Sequence, residues 1–149
     1  MLSQFIGMRS DKVMNPIERG AVKKFAEAIG DPHPLYFDEE TGKNSIHQCN
    51  IAPPTFAITL DYGIIPNLQR IGAGLIHGEQ QFHYQRPLHV GEKIQCYQQI
   101  TDYYEKKGKL GEMGFLVAEK RGLNEDGHFI FAMKQVVILN ETIRRGLKS

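Results

Sequence analysis

The chain is poor in cysteine, lacks any sustained apolar run and carries almost no net charge. Its 2 cysteines, Cys49 and Cys96, show no CxxC spacing and no neighbouring histidine pair. Neither a disulfide framework nor a zinc motif is on offer, and both are expected to stay reduced thiols. No stretch approaches the roughly 20 apolar residues that span a bilayer, and "MLSQFIGMRSDKVMNP" lacks the uninterrupted apolar core of a signal peptide. A soluble, cytoplasmic chain with no membrane partner is the expectation. Lysine plus arginine, 18 residues, nearly equal aspartate plus glutamate, 17 residues. That balance supplies no basic field to hold a phosphate backbone, which argues against nucleic acid as a partner. Repeats, low-complexity tracts and linkers are absent too, so the 149 residues read as one domain, 1–149, long enough to bury a single core without staples.

What is present begins with a helix. In "NPIERGAVKKFAEAIGDP", Asn15 can cap, Pro16 suits the first helical position, and Glu18 sits where a capping box wants a carboxylate. Ile17, Val22, Phe25, Ala26 and Ile29 make an apolar stripe at helical spacing, while Glu18, Arg19, Lys23, Lys24 and Glu27 face away. Gly30 ends this helix, and Pro32 and Pro34 prevent its continuation. A second helix is expected after "NIAPPTF": Phe56, Ala57, Leu60, Ile64 and Ile65 are apolar at mixed helical intervals with few charges. It would be buried on most of its surface and end at Pro66.

From residue 75 onward the pattern changes to strands. "GLIHGEQQFHYQRPL", "EKIQCYQQITDYYEK", "LGEMGFLVAEKRG" and "HFIFAMKQVVILN" show partial alternation, divided by turn signals in "HVGE", "KKGK" and "NEDG". With "QFIGMRSDKVM" as an edge strand, the order becomes strand, two helices, four strands. This predicts an α+β fold: an antiparallel sheet wrapped around one mostly buried central helix.

Three segments, "FAEAIGDPHPLYFDEE", "IAPPTF" and "HGEQQFHYQRPLHVGEKI", together resemble the MaoC-like hotdog family of enoyl-thioester hydratases and 3-hydroxyacyl-thioester dehydratases. More narrowly they look like the branch that supplies the N-terminal or partner hotdog unit. The resemblance covers nearly the whole chain and includes the "RPLxxGE" turn. It implies a single hotdog domain and an acyl-thioester substrate carried by coenzyme A or acyl carrier protein. It also implies no other cofactor, no metal, and a homodimer or heterodimer with another hotdog chain.

In catalytic members of that family a G-D-x-N-P-x-H motif supplies an aspartate and a histidine that handle the water and its protons. A backbone N–H beside a histidine-glycine pair, at the start of the central helix, holds the thioester oxygen as negative charge develops. Matched residue by residue, Gly30, Asp31 and Pro34 keep the motif, but His33 stands at the asparagine and Tyr36 at the histidine. Pro53 and Pro54 replace the histidine-glycine pair. Tyrosine, with a pKa near 10 against about 6.5 for histidine, is a poor base at neutral pH, although it can donate a hydrogen bond. Pro54 has no N–H, which leaves the Thr55 N–H as the nearest replacement donor. A chain altered in this way resembles the support subunit of heterodimeric dehydratases, whose partner brings the intact aspartate and histidine. Phe56, Ile58 and Leu60 are the expected walls of the acyl tunnel, and Lys43, Arg70 and Arg86 the expected contacts for the phosphates of coenzyme A.

Plainer roles stand beside these. An aspartate next to proline often only shapes a turn, which is the alternative for Asp31. His33 is either an improvised base or a turn residue bonded to the backbone. Tyr36 and Phe37 are expected to pack their segment onto the sheet, ahead of any proton chemistry, and Asp38, Glu39 and Glu40 to be a solvated run opening another helical turn. His77, Glu79, Gln81 and His83 would project from one face of a strand, read as a buried polar interface in preference to a metal site. Asp61 lies where hotdog thioesterases keep a carboxylate, but its place near the helix end favours solvent exposure. Three functions follow: a support half of a dehydratase, an autonomous hydratase using Asp31 with His33 or a water, and an acyl-thioester binding module without turnover.

Overall fold

The computed structural model describes residues 2–68, 75–109 and 111–148. Three long strands, β3 (Lys93–Gly108), β4 (Gly111–Leu123) and β5 (Phe129–Leu139), form the antiparallel meander that the sequence predicts. Strand β2 (Ile76–Tyr84) pairs with β5, and β1 (Val13–Pro16) pairs with β3. The result is one five-stranded antiparallel sheet in the order β1-β3-β4-β5-β2. Helices α1 (Arg19–Ala28) and α2 (Glu39–Lys43) precede β2, and α3 (Glu141–Lys148) follows β5. Among the described residues no helix is long and apolar enough to cross a membrane.

Turn chemistry sets the meander. The Asn124 side chain accepts from the N–H groups of Asp126 and His128, and Gly127 takes a φ of +85° that the tight return requires. Burial then divides the core into two clusters. One, built on Ile17, Val22, Phe56, Tyr62, Phe131 and Met133, lies under α1 and the start of β3. The other, Leu2, Phe5, Ile65, Ile100, Leu116 and Leu139, fills the opposite end of the sheet. Gly122 on β4 sits opposite Phe131, and a Cβ there would meet Phe131 Cε1 at 2.1 Å, so only glycine lets that ring lie flat across the sheet.

Several local expectations give way to tertiary bonding. Asn15 and Pro16 do not open the first helix. They belong to β1, opposite Ile94 and Lys93, and α1 starts at Arg19 after Glu18, whose side chain makes no cap bond. An edge strand accommodates Pro16 because its missing N–H is not needed there. The stripe holds for Val22 and Ala26, which are buried, whereas Ile29 is exposed. The N-terminal edge strand shrinks to β1 plus an isolated bridge between Arg9 and Gln99, preceded by a 3-10 turn at Leu2–Phe5.

The second helix is the largest departure. Only one 3-10 turn, Phe56–Thr59, forms, and Leu60 is already extended at φ −76° and ψ 157°. The reason is Asn15, whose amide clamps the Asp61 backbone from both sides: Nδ2 donates to its carbonyl and Oδ1 accepts from its N–H, each at 2.8 Å. Ser10 adds a bond from its hydroxyl to the Tyr62 carbonyl at 2.6 Å. Residues 60–63 therefore form an irregular segment held by Asn15 and Ser10 in place of a helix, with Gly63 at φ +75°.

Candidate active site

The segment after α1 is shaped by how that helix ends. Gly30, at φ +75°, donates to Glu27 O at 3.1 Å and Asp31 N–H donates to Ala26 O at 2.9 Å, the paired bonds of a glycine-terminated Schellman end. The chain then leaves the helix and coils into a 3-10 turn at Pro34–Tyr36. This brings Asp31 and Tyr36 together: the Tyr36 hydroxyl donates to Asp31 Oδ2 at 3.4 Å on an exposed rim. Partial burial, then the charge of Asp31 and its hydrogen bond, push the Tyr36 phenol above its ordinary value, so it stays protonated and acts as a donor.

His33 does not join that couple. Its Nδ1 accepts from the Leu35 N–H at 3.1 Å, making it the cap of the 3-10 turn, and its ring stands edge-on to Tyr36 at 6.1 Å. An imidazole whose Nδ1 accepts carries its ring N–H on Nε2, so Nδ1 of this ring is engaged in the turn. Asp38 caps α2 by accepting from Thr41 N–H at 3.0 Å, as the solvated acidic run implies.

Asn50 ties the whole segment to the body of the fold. Buried, it donates from Nδ2 to Leu35 O and Asp38 O, both at 2.8 Å, while its Oδ1 accepts from Arg19 Nη1 at 2.7 Å. One side chain thus fixes α1, the 3-10 turn and the start of α2 relative to one another. Sequence reasoning missed it, since nothing local distinguishes this asparagine from its neighbours.

Beside Tyr36 lies a mostly apolar pocket of about 340 Å³, lined chiefly by Tyr36, Ile51, Pro54, Tyr84, Arg86 and Leu88. Of the expected tunnel walls, Phe56 is instead buried in the core, edge-to-face with Phe25 at 5.5 Å. Leu60 packs on the same core, and Ile58 is exposed outside the pocket. Arg86 reaches the pocket wall but its guanidinium is engaged: Nη1 and Nη2 bond the two oxygens of Glu92 at 2.8 Å each. Burial pushes the Glu92 carboxyl up, yet the bonds from Arg86 and the His89 N–H outweigh it and hold the carboxyl below its ordinary value. Arg86 is thus a structural cation of the pocket wall. Lys43 is exposed at the end of α2, and Arg70 lies outside the described residues.

The turn that introduces the missing central helix forms the last part of the site. Phe56 N–H donates to Pro53 O at 2.9 Å, and Thr55, at φ −88° and ψ −3°, occupies the third position of a type I turn. Thr55 is exposed, and among the described residues nothing bonds its N–H. The Tyr84 hydroxyl donates to Pro54 O at 2.5 Å from 30 residues away, and burial pushes its phenol up to about 12. Tyr84 was not foreseen either. It shares a face of β2 with Phe82, on which it stacks at 6.3 Å, and no local signal announces so distant a bond.

Two features that the sequence disfavours as sites, the histidine-bearing face of β2 and Asp61, differ in place from their expected settings. A bulge at Gly78 breaks the register, so His77 pairs with Val137 and Glu79 with Val136; His77 is shifted off the face of Glu79, Gln81 and His83. No group able to hold a metal ion occurs among the described residues. Asp61 is on no helix, and its carboxylate accepts from the Gly63 N–H at 2.9 Å. Both thiols are free; burial raises Cys96 to about 12 and also raises Cys49, which keeps them protonated.

Residues 4–133 match the family model for the FAS1-like, dehydratase domain region. A UPF0336 protein of Thermobifida fusca is 38% identical over 92 residues, a stretch that is 58% of this chain and 60% of that relative. The chain thus spans about three fifths of that relative's length. Among solved structures, the C-terminally truncated HadBC (3R-hydroxyacyl-ACP dehydratase) complex of Mycobacterium tuberculosis superposes with a TM-score of 0.77 at 22% identity, covering 91% of this chain and 97% of that one. The ChsH1-ChsH2 complex of the same organism gives 0.73 at 20% identity, covering 87% of each. These likenesses carry the fold, an antiparallel hotdog sheet.

Proposed function

The chain belongs to the FAS1-like dehydratase-region family, and from that premise we propose that it is the support half of an (R)-3-hydroxyacyl-thioester dehydratase or enoyl-thioester hydratase. A second hotdog chain would bring the intact aspartate and histidine that move protons at the two carbons beside the thioester. The acyl group would be presented by coenzyme A or acyl carrier protein. The observation that carries the reading is Tyr36: at the position of the motif histidine stands a phenol, raised above its ordinary value and bonded to Asp31. Such a group donates a proton poorly and accepts none at neutral pH.

Other features support the same reading. The pocket beside Tyr36 is apolar and of a size that suits part of an acyl chain. Strand β2 is an edge of the sheet whose outer side pairs with no strand among the described residues, the kind of surface on which a second sheet adds. HadBC and ChsH1-ChsH2 are each complexes of two chains. His33 caps a turn, which disfavours its service as an autonomous base, and Asp61 caps Gly63, which disfavours thioester hydrolysis.

The test is hydration of a short enoyl-CoA, followed by loss of the conjugated thioester absorbance, with the chain alone and then with a hotdog chain carrying an intact G-D-x-N-P-x-H motif. Turnover only in the mixture is the expected result. Turnover by the lone chain that disappears in Asp31→Ala would replace the support reading with autonomous hydration.

A further inference from the structure

Midway along the strands the core face of the sheet is not apolar. Residues opposite one another across a ladder share a face, so Gln98 on β3 and Lys120 on β4 stand together on it, as do Gln135 on β5 and Gln80 on β2. Lys120 is in turn opposite Met133, two residues from Gln135, close enough for long side chains to meet. All four polar residues are half-buried. The band they form separates the two core clusters: Cys96, Phe131 and Met133 lie on one side of it, and Ile100, Leu116 and Leu139 on the other. Apolar side chains at these positions would join the clusters into one core, so packing alone does not account for the band.

Lys120 is its centre. The ammonium lies 5.1 Å from the centroid of the Tyr62 ring, which is 4% exposed and itself edge-on to Phe131. A lysine that only lays its stem over apolar surface carries its head out to water; this one carries it onto a buried ring. Among the described residues no carboxylate comes within ion-pair distance of Lys120, and the residues outside that set include no aspartate or glutamate. Burial holds the ammonium below its ordinary value, and the face of Tyr62 offsets the lost hydration only in part. The amides nearby are also weakly held. Gln80 Nε2 donates to the Met133 thioether, a weak acceptor, and Gln135 Nε2 stands 3.4 Å from His77 Nδ1. Gln98 differs: its Nε2 donates to Gly63 O at 2.6 Å and fixes that end of the band.

We propose that the band binds the carboxylate of an aliphatic acid, with Lys120 as the counter-charge, the Gln80 and Gln135 amides as donors, and the apolar flanks receiving the hydrocarbon. The charge selects the head, because one unpaired cation matches one carboxylate and leaves a phosphate dianion half neutralised. The flanks select the tail: Phe82 and Met133 on one side and Ala118 and Val137 on the other offer apolar surface. This site is separate from the pocket beside Tyr36, whose lining includes none of these residues, and it does not depend on the acyl-thioester reading.

The experiment is isothermal titration calorimetry of the full chain with octanoate and with octanamide, which has the same tail and no charge. Octanoate should bind wild type about tenfold more tightly than octanamide. Lys120→Met keeps a long side chain and removes the charge; it should erase that preference and melt no lower than wild type, whereas Lys120→Arg should retain the preference. A second measurement serves if Lys120→Met fails to fold: in wild type labelled with carbon-13 at lysine, the Lys120 Cε–Hε signal should move with octanoate and stay in place with octanamide. Equal binding of the two probes, binding of neither, or a preference for octanoate that survives Lys120→Met overturns the proposal. Octanoate carries no thioester, so none of these results bears on the hydration test, and failure of that test leaves this site standing.

Discussion

Two tyrosines face the same pocket and are held in opposite ways. Tyr36 reaches Asp31 across 3.4 Å on an exposed rim, beside a histidine occupied in capping a turn. Tyr84 reaches Pro54 across 2.5 Å, with its ring packed between Phe82 and Phe131. The couple that stands where a proton-transfer pair would be is loose and open to solvent. The Pro53-Pro54 turn is tied to the sheet through Tyr84.

Tyr36→His is the substitution that should break the contrast most sharply. It places an imidazole beside Asp31 and should raise lone-chain hydration of a short enoyl-CoA by about a hundredfold over the wild-type background, measured as initial rates at neutral pH. An unchanged rate would mean that the loose half lacks more than the histidine.

Gly122→Ala attacks the tight half from beneath. A Cβ at 2.1 Å from Phe131 Cε1 forces the ring out of place, and urea unfolding should show a loss of about 3 kcal/mol. The Tyr84 stack should be disturbed with it. Asn50→Ala loosens the other half: it removes one bond each from the Leu35 and Asp38 carbonyls and from Arg19, and should cost about 2 kcal/mol. Hydrogen exchange should rise at residues 35–41 and not in β4 or β5. Equal protection in both regions would show that other bonds hold the segment.

The smallest effect concerns the pocket wall. Glu92→Gln removes the carboxylate that clasps Arg86 and should cost about 1 kcal/mol at neutral pH. The Glu92 carboxyl is lowered in the folded state, so its contribution is complete above the ordinary value of 4.5 and fades as pH falls through the lowered one. Thermal unfolding of wild type and Glu92→Gln should therefore converge in acid and stay apart at neutral pH. A constant gap would place the stabilisation in packing and not in charge.

Legibility followed the range of the interactions. The long strands β3, β4 and β5, the Gly30 stop, the solvated acidic run that opens α2 and the packing of Tyr36 on the core come from patterns close in sequence, and each was readable; the Asp38 cap and the bond between Tyr36 and Asp31 were not. Asn15 was not. Its cap chemistry is genuine, but a two-sided clamp on Asp61, 46 residues away, and a place in β1 satisfy it better. The same clamp explains why Leu60, Ile64 and Ile65, apolar enough for a helix, lie in an irregular segment: Leu60 packs on the core under α1, Ile65 in the other cluster, and Ile64 is exposed. The bulge at Gly78 re-sorted His77 for a related reason: a one-residue slip reverses the face of everything beyond it. Phe56 and Leu60 were correctly read as apolar, but apolarity alone does not separate a tunnel wall from a core residue.

By itself the sequence determined the family, the antiparallel meander and the altered motif, because alternation, turn residues and motif spacing are written within a few positions of one another. Only the tertiary structure decided that Arg86 is occupied by Glu92, that Asn50 holds the segment carrying Asp31 and Tyr36, and that Tyr84 grips the Pro54 carbonyl. The Tyr84 bond spans 30 residues and the Asn50 bond to Leu35 spans 15, so their partners meet only once the chain has folded back on itself, while Arg86 and Glu92, six apart, need the turn between them to set their geometry.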